Sequence, residues 1–541
     1  MTLVGPPDLV VLVAEDGAGP IPAAPDGGGF AGPAARVDVV QRPEGLAVEI
    51  TDVPAGLARV ALRWSRPVPP GSLVYGDAWE RSYGSLHWQP IQAERLLPWY
   101  WLVHHRDGTR GMGVRVRPSA FCCWTVDEDG CTLWLDVRSG GEPALLTGRR
   151  LNAATVVGVD AGPDEPALAV HRRLCRAMCD DPVLPGGPVV GANTWYRTYG
   201  VNFGPAEVLQ DADTIVELAD GHPVRPFCVV DAGWSPGGVA PGGPWTHGIP
   251  GLFDDMPGLA AEIAARGARP GIWMRPAAMS DVRDAGLLRP GPRPAPEQPL
   301  DLSRPENMHG IGEDVRRLVD WGFEMVKHDF STFDHFGRWG FQMGMQMTQP
   351  GWHPADRTRT NAELLVGLYR TIREAAGDAW IIGCNTVGHL AAGLVQIQRT
   401  GDDTSGLAWE RTRRMGVNTL AFRLAQHGTF FALDPDCVPC TPHTPWERNR
   451  ELLDLVARSG ATLFASVDPA CRTPDVDANL RAALRIALDG GEPDGVEPQD
   501  WLQTSSPRRW RTGTTVREYQ WLSDLGASPY LDGLEIGAVT S

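Results

Sequence analysis

Residues 323–329 read Phe323-Glu-Met-Val-Lys-His-Asp329, a short apolar run that closes on a cation and an acid. The same shape recurs at Pro188–Asn193, Arg225–Asp231, Arg269–Met274, Ala379–Asn385, Leu394–Arg399, Thr429–Asp434 and Ala461–Val467. Amphipathic stretches with helical spacing separate several of these runs: Ala206–Leu218, Met256–Ala265, Gly312–Trp321, Asn361–Ala375 and Asn449–Ser459. Parallel strands covered on both faces read as unbroken apolar runs, and strand–helix alternation builds a parallel sheet. Eight such units in about 280 residues predict an α/β fold, a (β/α)8 TIM barrel rather than an open doubly wound sheet. No GxGxxG follows a strand and no GxxxxGK[ST] occurs, so nucleotide-binding folds lose ground.

Outside this zone the rhythm changes. Residues 1–180 hold alternating stretches such as Val37-Asp-Val-Val-Gln-Arg, Leu46-Ala-Val-Glu-Ile, Ala58-Arg-Val-Ala-Leu-Arg-Trp and Thr132-Leu-Trp-Leu-Asp-Val-Arg. Period-two alternation broken by turn residues predicts antiparallel strands, assembled as an N-terminal β-sandwich. A helical stretch, Glu165–Ala177, leads into Asp180-Asp-Pro-Val-Leu-Pro-Gly-Gly-Pro, which reads as a linker. The barrel is assigned to 181–480. Residues 481–541, with Trp501, Trp510 and Trp521, are assigned to a short C-terminal β appendage.

Composition narrows the function. The 541 residues are 43% hydrophobic and 21% charged, ordinary globular usage for two to four domains. The net charge of −17 repels polyphosphate backbones, so a nucleic-acid partner is not expected. Leu9–Ala14 is too short to span a membrane, and no basic segment precedes it, so neither a membrane span nor a secretory leader is expected. Ten scattered cysteines, with Cys122 and Cys123 adjacent, suit reduced thiols and a cytoplasmic setting. Cys437-Val-Pro-Cys440 has metal-site spacing but lacks a second pair, so no metal and no cofactor are expected. Twenty tryptophans against eight tyrosines suggest aromatic platforms, although core packing accounts for most of them.

In a barrel, chemistry gathers at the C-terminal ends of the strands. Here those ends carry Asn193 and Trp195, Asp231 and Trp234, Trp273 and Arg275, Lys327 and Asp329, Cys384 and Asn385, and Arg399 followed by Asp402 and Asp403. Carboxylates paired with aromatic walls are what glycoside hydrolysis needs, one acid attacking the anomeric carbon and the other protonating the leaving oxygen. Lys327 lies two residues before Asp329 and so shares its face on a strand. There its charge would keep the acid ionised, as a nucleophile requires; a structural salt bridge is the competing reading.

Five segments give the sequence a family likeness. Gly191-Ala-Asn-Thr-Trp-Tyr looks like G-W-[NC]-S-W-Y, Val229-Val-Asp-Ala-Gly-Trp like D-D-G-W, and Gly271-Ile-Trp-Met-Arg-Pro like G-[LI]-W-x-x-P. Met325-Val-Lys-His-Asp-Phe matches K-x-D, and Gln398-Arg-Thr-Gly-Asp-Asp-Thr looks like the segment after the sixth strand. In this order the segments resemble the α-galactosidase-like clan of glycoside hydrolases, most closely family 36 in a compact form. The resemblance implies a retaining, exo-acting α-glycosidase with Asp329 as nucleophile. It implies Asp403, four residues after Arg399, as acid/base, with Asp402 the alternative. Trp195, Asp231, Trp273, Lys327, Cys384 and Arg399 fall on positions that line the family's sugar subsite, with Asn385 adjacent. Trp79, in Gly76-Asp-Ala-Trp-Glu-Arg, is the aromatic that the N-terminal region is expected to lend to the pocket.

Two departures leave the sugar open. The second acid of D-D-G-W is Ala232, and the first-strand Trp is Ala192. A methyl group cannot accept a hydrogen bond from a sugar hydroxyl, so specificity is loosened or redirected. The alternatives are a transglycosylase, a non-catalytic carbohydrate-binding relative, and a lyase or aldolase with a Schiff base on Lys327.

Overall fold

The computed structural model describes residues 4–14, 20–162, 164–201, 203–282, 284–292, 297–523 and 526–528. At its centre is a nine-stranded parallel sheet. Its strands are β1 (Val190–Asn193), β2 (Phe227–Val230), β3 (Arg269–Met274), β4 (Met325–His328) and β5 (Trp380–Gly383). They continue as β6 (Ile397–Arg399), β7 (Ala432–Asp434), β8 (Val438–Cys440) and β9 (Leu463–Val467). The spatial order is β7-β6-β5-β4-β3-β2-β1-β9-β8. Only residues 435–437 separate the two edge strands in sequence, so the sheet curls until its edges come from neighbouring stretches of chain. Thr462 N–H, just before β9, donates to Leu433 O on β7 at 2.9 Å.

Each apolar run of the middle zone contributes a strand; Arg269–Met274 is strand throughout, and the other strands are shorter than their runs. Helices Pro205–Leu218, Met256–Ala265, Pro305–Asp320, Asn361–Ala376 and Trp446–Ser459 follow on the chain where the amphipathic stretches predict them. Their starts are chemically marked. Thr360 Oγ1 accepts from Glu363 N–H at 3.1 Å while Glu363 Oε2 accepts from Thr360 N–H at 3.0 Å, a reciprocal cap. β8 was not expected. It is the Val-Pro-Cys of Cys437–Cys440, paired with Ala465–Val467, so that motif is buried sheet. Among the described residues no group of His, Cys, Asp and Glu could hold a metal ion.

Fifteen strands, the first Leu9–Ala14 and the last Leu151–Asp160, form one antiparallel sheet. Its path folds back on itself: Trp101, on the strand Tyr100–His105, and Trp124, on Phe121–Asp127, lie 6.4 Å apart from opposite arms of the path. A helix, Ala167–Met178, then leads to the parallel sheet. Strands Val496–Pro498, Arg509–Thr512 and Thr515–Glu518 form a small third sheet. The helix Pro474–Leu488 runs straight across position 480, where the sequence placed a boundary. The last part of the expected C-terminal region, 529–541, lies outside the described residues. Among the described residues no helix is long and apolar enough to cross a membrane.

One loop matters for the site. After the antiparallel strand Leu73–Gly76, residues 77–83 leave their sheet and cross to the C-terminal ends of the parallel strands. Ser82 N–H donates to Thr400 O and Asp402 N–H donates to Ser82 O, both at 2.9 Å. Arg423 Nε donates to Asp77 Oδ1 at 2.8 Å and its Nη1 to Thr400 O at 2.8 Å, pinning both segments together.

Candidate functional site

Asp329 is the residue directly after β4, and Phe330 beside it adopts a left-handed φ of 60°. Asp329 Oδ1 accepts from two backbone N–H groups, Phe330 at 2.8 Å and Asn385 at 3.0 Å. Its Oδ2 accepts only from the Trp273 indole, at 3.3 Å. Burial works to raise its pKa, but Arg81, Lys327 and these donors outweigh it and hold the carboxyl below the usual range.

Lys327 is the only lysine in the chain, and the sequence reading placed its charge beside Asp329. Its charge does favour the Asp329 carboxylate, but the acid it bonds is another one. Lys327 Nζ donates to Asp231 Oδ2 at 2.6 Å, and Asn193 Nδ2 reaches the same oxygen at 2.6 Å. Desolvation works to lower the ammonium pKa, but Asp231 outweighs it and favours the cation, which counts against the Schiff-base alternative. Lys327 acts on Asp329 only through space, and less strongly than Arg81.

The acids after β6 have opposite surroundings. Asp402 is buried between two guanidinium groups, Arg81 Nη2 at 2.7 Å and Arg411 Nη2 at 2.7 Å. Burial opposes its ionisation, but Arg81 and Arg411 hold its pKa below the ordinary value. Asp403 takes one bond from Arg399 Nη2 at 2.8 Å, lies 3.7 Å from Arg81 Nη1, and leaves its side chain 34% exposed. Burial and the neighbouring Asp402 push its carboxyl up to about 6. One acid is clamped ionised; the other is poised to hold a proton.

The remaining expected residues are buried or half-buried at the strand ends. Arg399 is fully buried; its Nη1 donates to Cys384 Sγ at 3.2 Å, and its Nη2 also bonds Tyr196 at 3.1 Å and Asp436 at 2.5 Å. Cys384 and Asn385 are likewise wholly buried, so these three hold the acids in place and present no surface to a sugar. Trp195 is half-buried in the turn after β1, its N–H donating to Asn193 Oδ1 at 2.8 Å. Trp273 packs at 5.8 Å from Trp245 and 6.4 Å from Phe330.

Trp79, the aromatic expected to be lent to the pocket, is packed into the core. It packs 5.6 Å from Trp99 and 5.7 Å from Phe121, donates its indole N–H to Gly344 O at 3.0 Å, and is 7% exposed. What the 77–83 loop brings to the site is Glu80 and Arg81, which the sequence reading passed over. Arg81 joins Asp402, Asp403 and Cys384 Sγ, the last at 3.7 Å. Glu80 accepts from Asn385 Nδ2, from Tyr83 and from Gly340 N–H, and burial raises its pKa. Their only signal was charge inside Trp79-Glu-Arg-Ser82, in a chain with many charges.

No family model and no curated protein sequence matches the chain. Solved structures do. An α-galactosidase from Thermus thermophilus, in complex with p-nitrophenyl α-D-galactopyranoside, superimposes with a TM-score of 0.58 at 18% identity, covering 89% of this chain and 99% of its own. The family 36 α-galactosidase AgaB from Geobacillus stearothermophilus matches with a TM-score of 0.57 at 14% identity, over 85% of this chain and 67% of its own. The galactosidase domain of an α-galactosidase–sucrose kinase gives 0.52 at 14%, over 85% and 67%. The fold of this chain is that of the family 36 α-galactosidases.

Proposed function

We propose that the protein is a retaining, exo-acting α-glycosidase of the α-galactosidase type, with Asp329 as nucleophile and Asp403 as acid/base. The observation that carries this is the electrostatic division of labour at the strand ends. Asp329 is held ionised by Arg81, Lys327 and backbone donors, while Asp403 is pushed up to about 6 and partly exposed. Two carboxyl groups whose surroundings drive their protonation apart are the signature of a nucleophile and a general acid.

Asp329 Oδ2, the oxygen with a single long contact, attacks the anomeric carbon as the bond to the leaving oxygen breaks. Asp403 gives its proton to that oxygen. Water then attacks the glycosyl–Asp329 ester from the other side, Asp403 takes its proton, and the carboxylate is released. Asp402 stays ionised between Arg81 and Arg411 and orders the pair. Lys327 and Asp231 form the floor on which sugar hydroxyls bind, while Ala232 offers no acceptor, so the glycone need not be galactose.

The curled sheet supports a closed (β/α)8 barrel in which β7 and β8 are two halves of one interrupted strand. The antiparallel region before it would be a sandwich domain and the three-stranded sheet an appendage.

The test is a screen of aryl α-glycosides (galactoside, N-acetylgalactosaminide, glucoside), with a β-arabinoside added. The product anomer is followed by proton NMR on the glycoside that turns over. Retention is expected, and Asp329→Ala loses turnover and regains it with added azide. Inversion, or full activity of Asp329→Ala without azide, refutes the assignment.

A further inference from the structure

The loop after β4 carries aromatic side chains that the proposed chemistry does not use. Trp339 stacks on Phe333 at 4.5 Å and meets Phe330 edge-on at 5.3 Å. Phe330 in turn touches Trp273, the indole bonded to Asp329. On its other side Trp339 lies 5.4 Å beneath the Arg81 guanidinium, which is 3.7 Å from Asp403. Arg81 also sits 5.9 Å over Tyr83, and Tyr83 meets Phe341 edge-on at 4.8 Å. Trp339 is thus tied to both acids, to Asp329 through Phe330 and Trp273 and to Asp403 through Arg81. From there the rings continue outward. Phe333, Trp339 and Tyr83 are half-buried, Phe341 is 51% exposed and Met345, in the same loop, is 77% exposed.

The panel is held in place. Gly340 N–H donates to Glu80 Oε1 at 2.8 Å, so closely that a Cβ at Gly340 would lie 2.3 Å from Glu80 Cγ. Trp339 N–H donates to Gln342 Oε1 at 2.9 Å, and Arg338 Nη1 to Gln346 O at 2.7 Å. The Tyr83 hydroxyl is committed to Glu80, so the panel offers ring faces, a thioether and, as its one side-chain donor, the Trp339 indole N–H. A fixed, partly exposed apolar surface beside a reactive site is a ligand surface by its physics. A sugar aglycone needs partners for its hydroxyl groups; a row of rings recognises an apolar face.

We propose that Phe333, Trp339 and Phe341, with Tyr83 and Met345, form an aglycone subsite for a flat apolar leaving group, beside Arg81 on the side of the general acid. The inference rests on the glycosidase reading for its orientation, and its test separates the two.

Three α-D-galactopyranosides with primary alkoxide leaving groups remove differences in intrinsic reactivity: methyl, 2-phenylethyl, and glucose through its O6. If the aryl screen finds another glycone, the same three aglycones are placed on that one. We expect kcat/KM for the 2-phenylethyl glycoside to exceed that for the sugar aglycone by roughly tenfold or more. Phe341→Ser should collapse that ratio, and Phe341→Leu should restore most of it. Independently of turnover, saturation-transfer NMR should show 2-phenylethanol binding to the wild-type chain and weakened in Phe341→Ser. Binding without turnover of any glycoside defeats the glycosidase reading and keeps the subsite. A preference for the sugar aglycone, or a ratio that Phe341→Ser leaves unchanged, overturns the subsite. So does a Phe341→Ser change that acts only on oligomeric state, which makes the panel an interface between copies.

Discussion

Replacing Arg81 by Met should move the whole pH profile of kcat/KM upward. Arg81 is the strongest cationic influence on Asp329, one of two direct partners of Asp402, and lies 3.7 Å from Asp403. A unit charge pair at that distance is worth about 4 kcal/mol at an effective dielectric near 20 and about 1 kcal/mol in water. Because a third of the Asp403 side chain faces solvent, screening puts its loss near the lower figure. At about 1.4 kcal/mol per pKa unit, that is on the order of one unit. The sign is the same for both acids, since removing a neighbouring cation disfavours the carboxylate and raises its pKa. The acid limb, set by ionisation of Asp329, moves up, and the basic limb, set by loss of the Asp403 proton near 6, moves up with it. Partial neutralisation of Asp402, left with Arg411 alone, relieves some repulsion on Asp403 and trims the second shift. The assay is kcat/KM between pH 4 and 9 on the glycoside identified by the screen, with Arg81→Lys as the charge-conserving control. A uniform fall in rate with both limbs unmoved would show that Arg81 only braces the loop, and the electrostatic argument would be refuted.

Four further outcomes follow from the same geometry. Asp403→Asn should cripple cleavage of alkyl leaving groups and spare activated aryl ones, with no such dependence in Asp402→Asn; leaving groups of graded pKa decide it. Trp79→Ala should destabilise the fold by about 3–5 kcal/mol in denaturant titration, because the ring packs against Trp99 and Phe121; a change in KM at unaltered stability would return Trp79 to the pocket. His171 and His389 are pushed down to about 3, and His328, His335 and His427 to about 4, all by burial, so the unfolded chain binds more protons below about 6.5. The histidine contribution is complete above the unfolded value and lost as pH falls, while the carboxyls that burial raises, Asp211, Asp403, Glu80, Glu297, Asp314, Asp334 and Asp434, act the other way; replacing His171 and His389 by Gln should therefore flatten the fall of Tm between pH 6.5 and 4. Finally, an amine-reactive ester should label Lys327 only after denaturation, read by peptide mass spectrometry; rapid labelling of the native protein would contradict its buried pairing with Asp231.

The sequence by itself determined what depends on neighbours along the chain. Apolar runs of strand length alternating with helical periodicity specified the parallel sheet, because burial on both faces leaves that mark in composition. It placed Asp329 directly after one strand and Asp402 and Asp403 in the loop after another, because the apolar runs end just before them. Alternation also read the N-terminal region as antiparallel strands. The short β8 escaped because a Val-Pro-Cys tripeptide has no periodicity to detect.

Only the tertiary structure decided who stands next to whom. Arg81 reaches Cys384 across 303 positions and Glu80 reaches Asn385 across 305, through a loop that leaves one sheet to join another. Lys327 looked like the partner of Asp329 because side chains two apart share a strand face, but the adjacent strands brought Asp231 closer to its ammonium group. Trp79 was assigned to the pocket because its own turn holds no core, and it is buried because the fold brings Trp99 and Phe121 against it. The choice between Asp402 and Asp403 was of the same kind. Two adjacent acids have identical intrinsic chemistry, and only the arginines that the fold packs around Asp402 give the two different surroundings, the basis on which Asp403 is proposed as the proton donor.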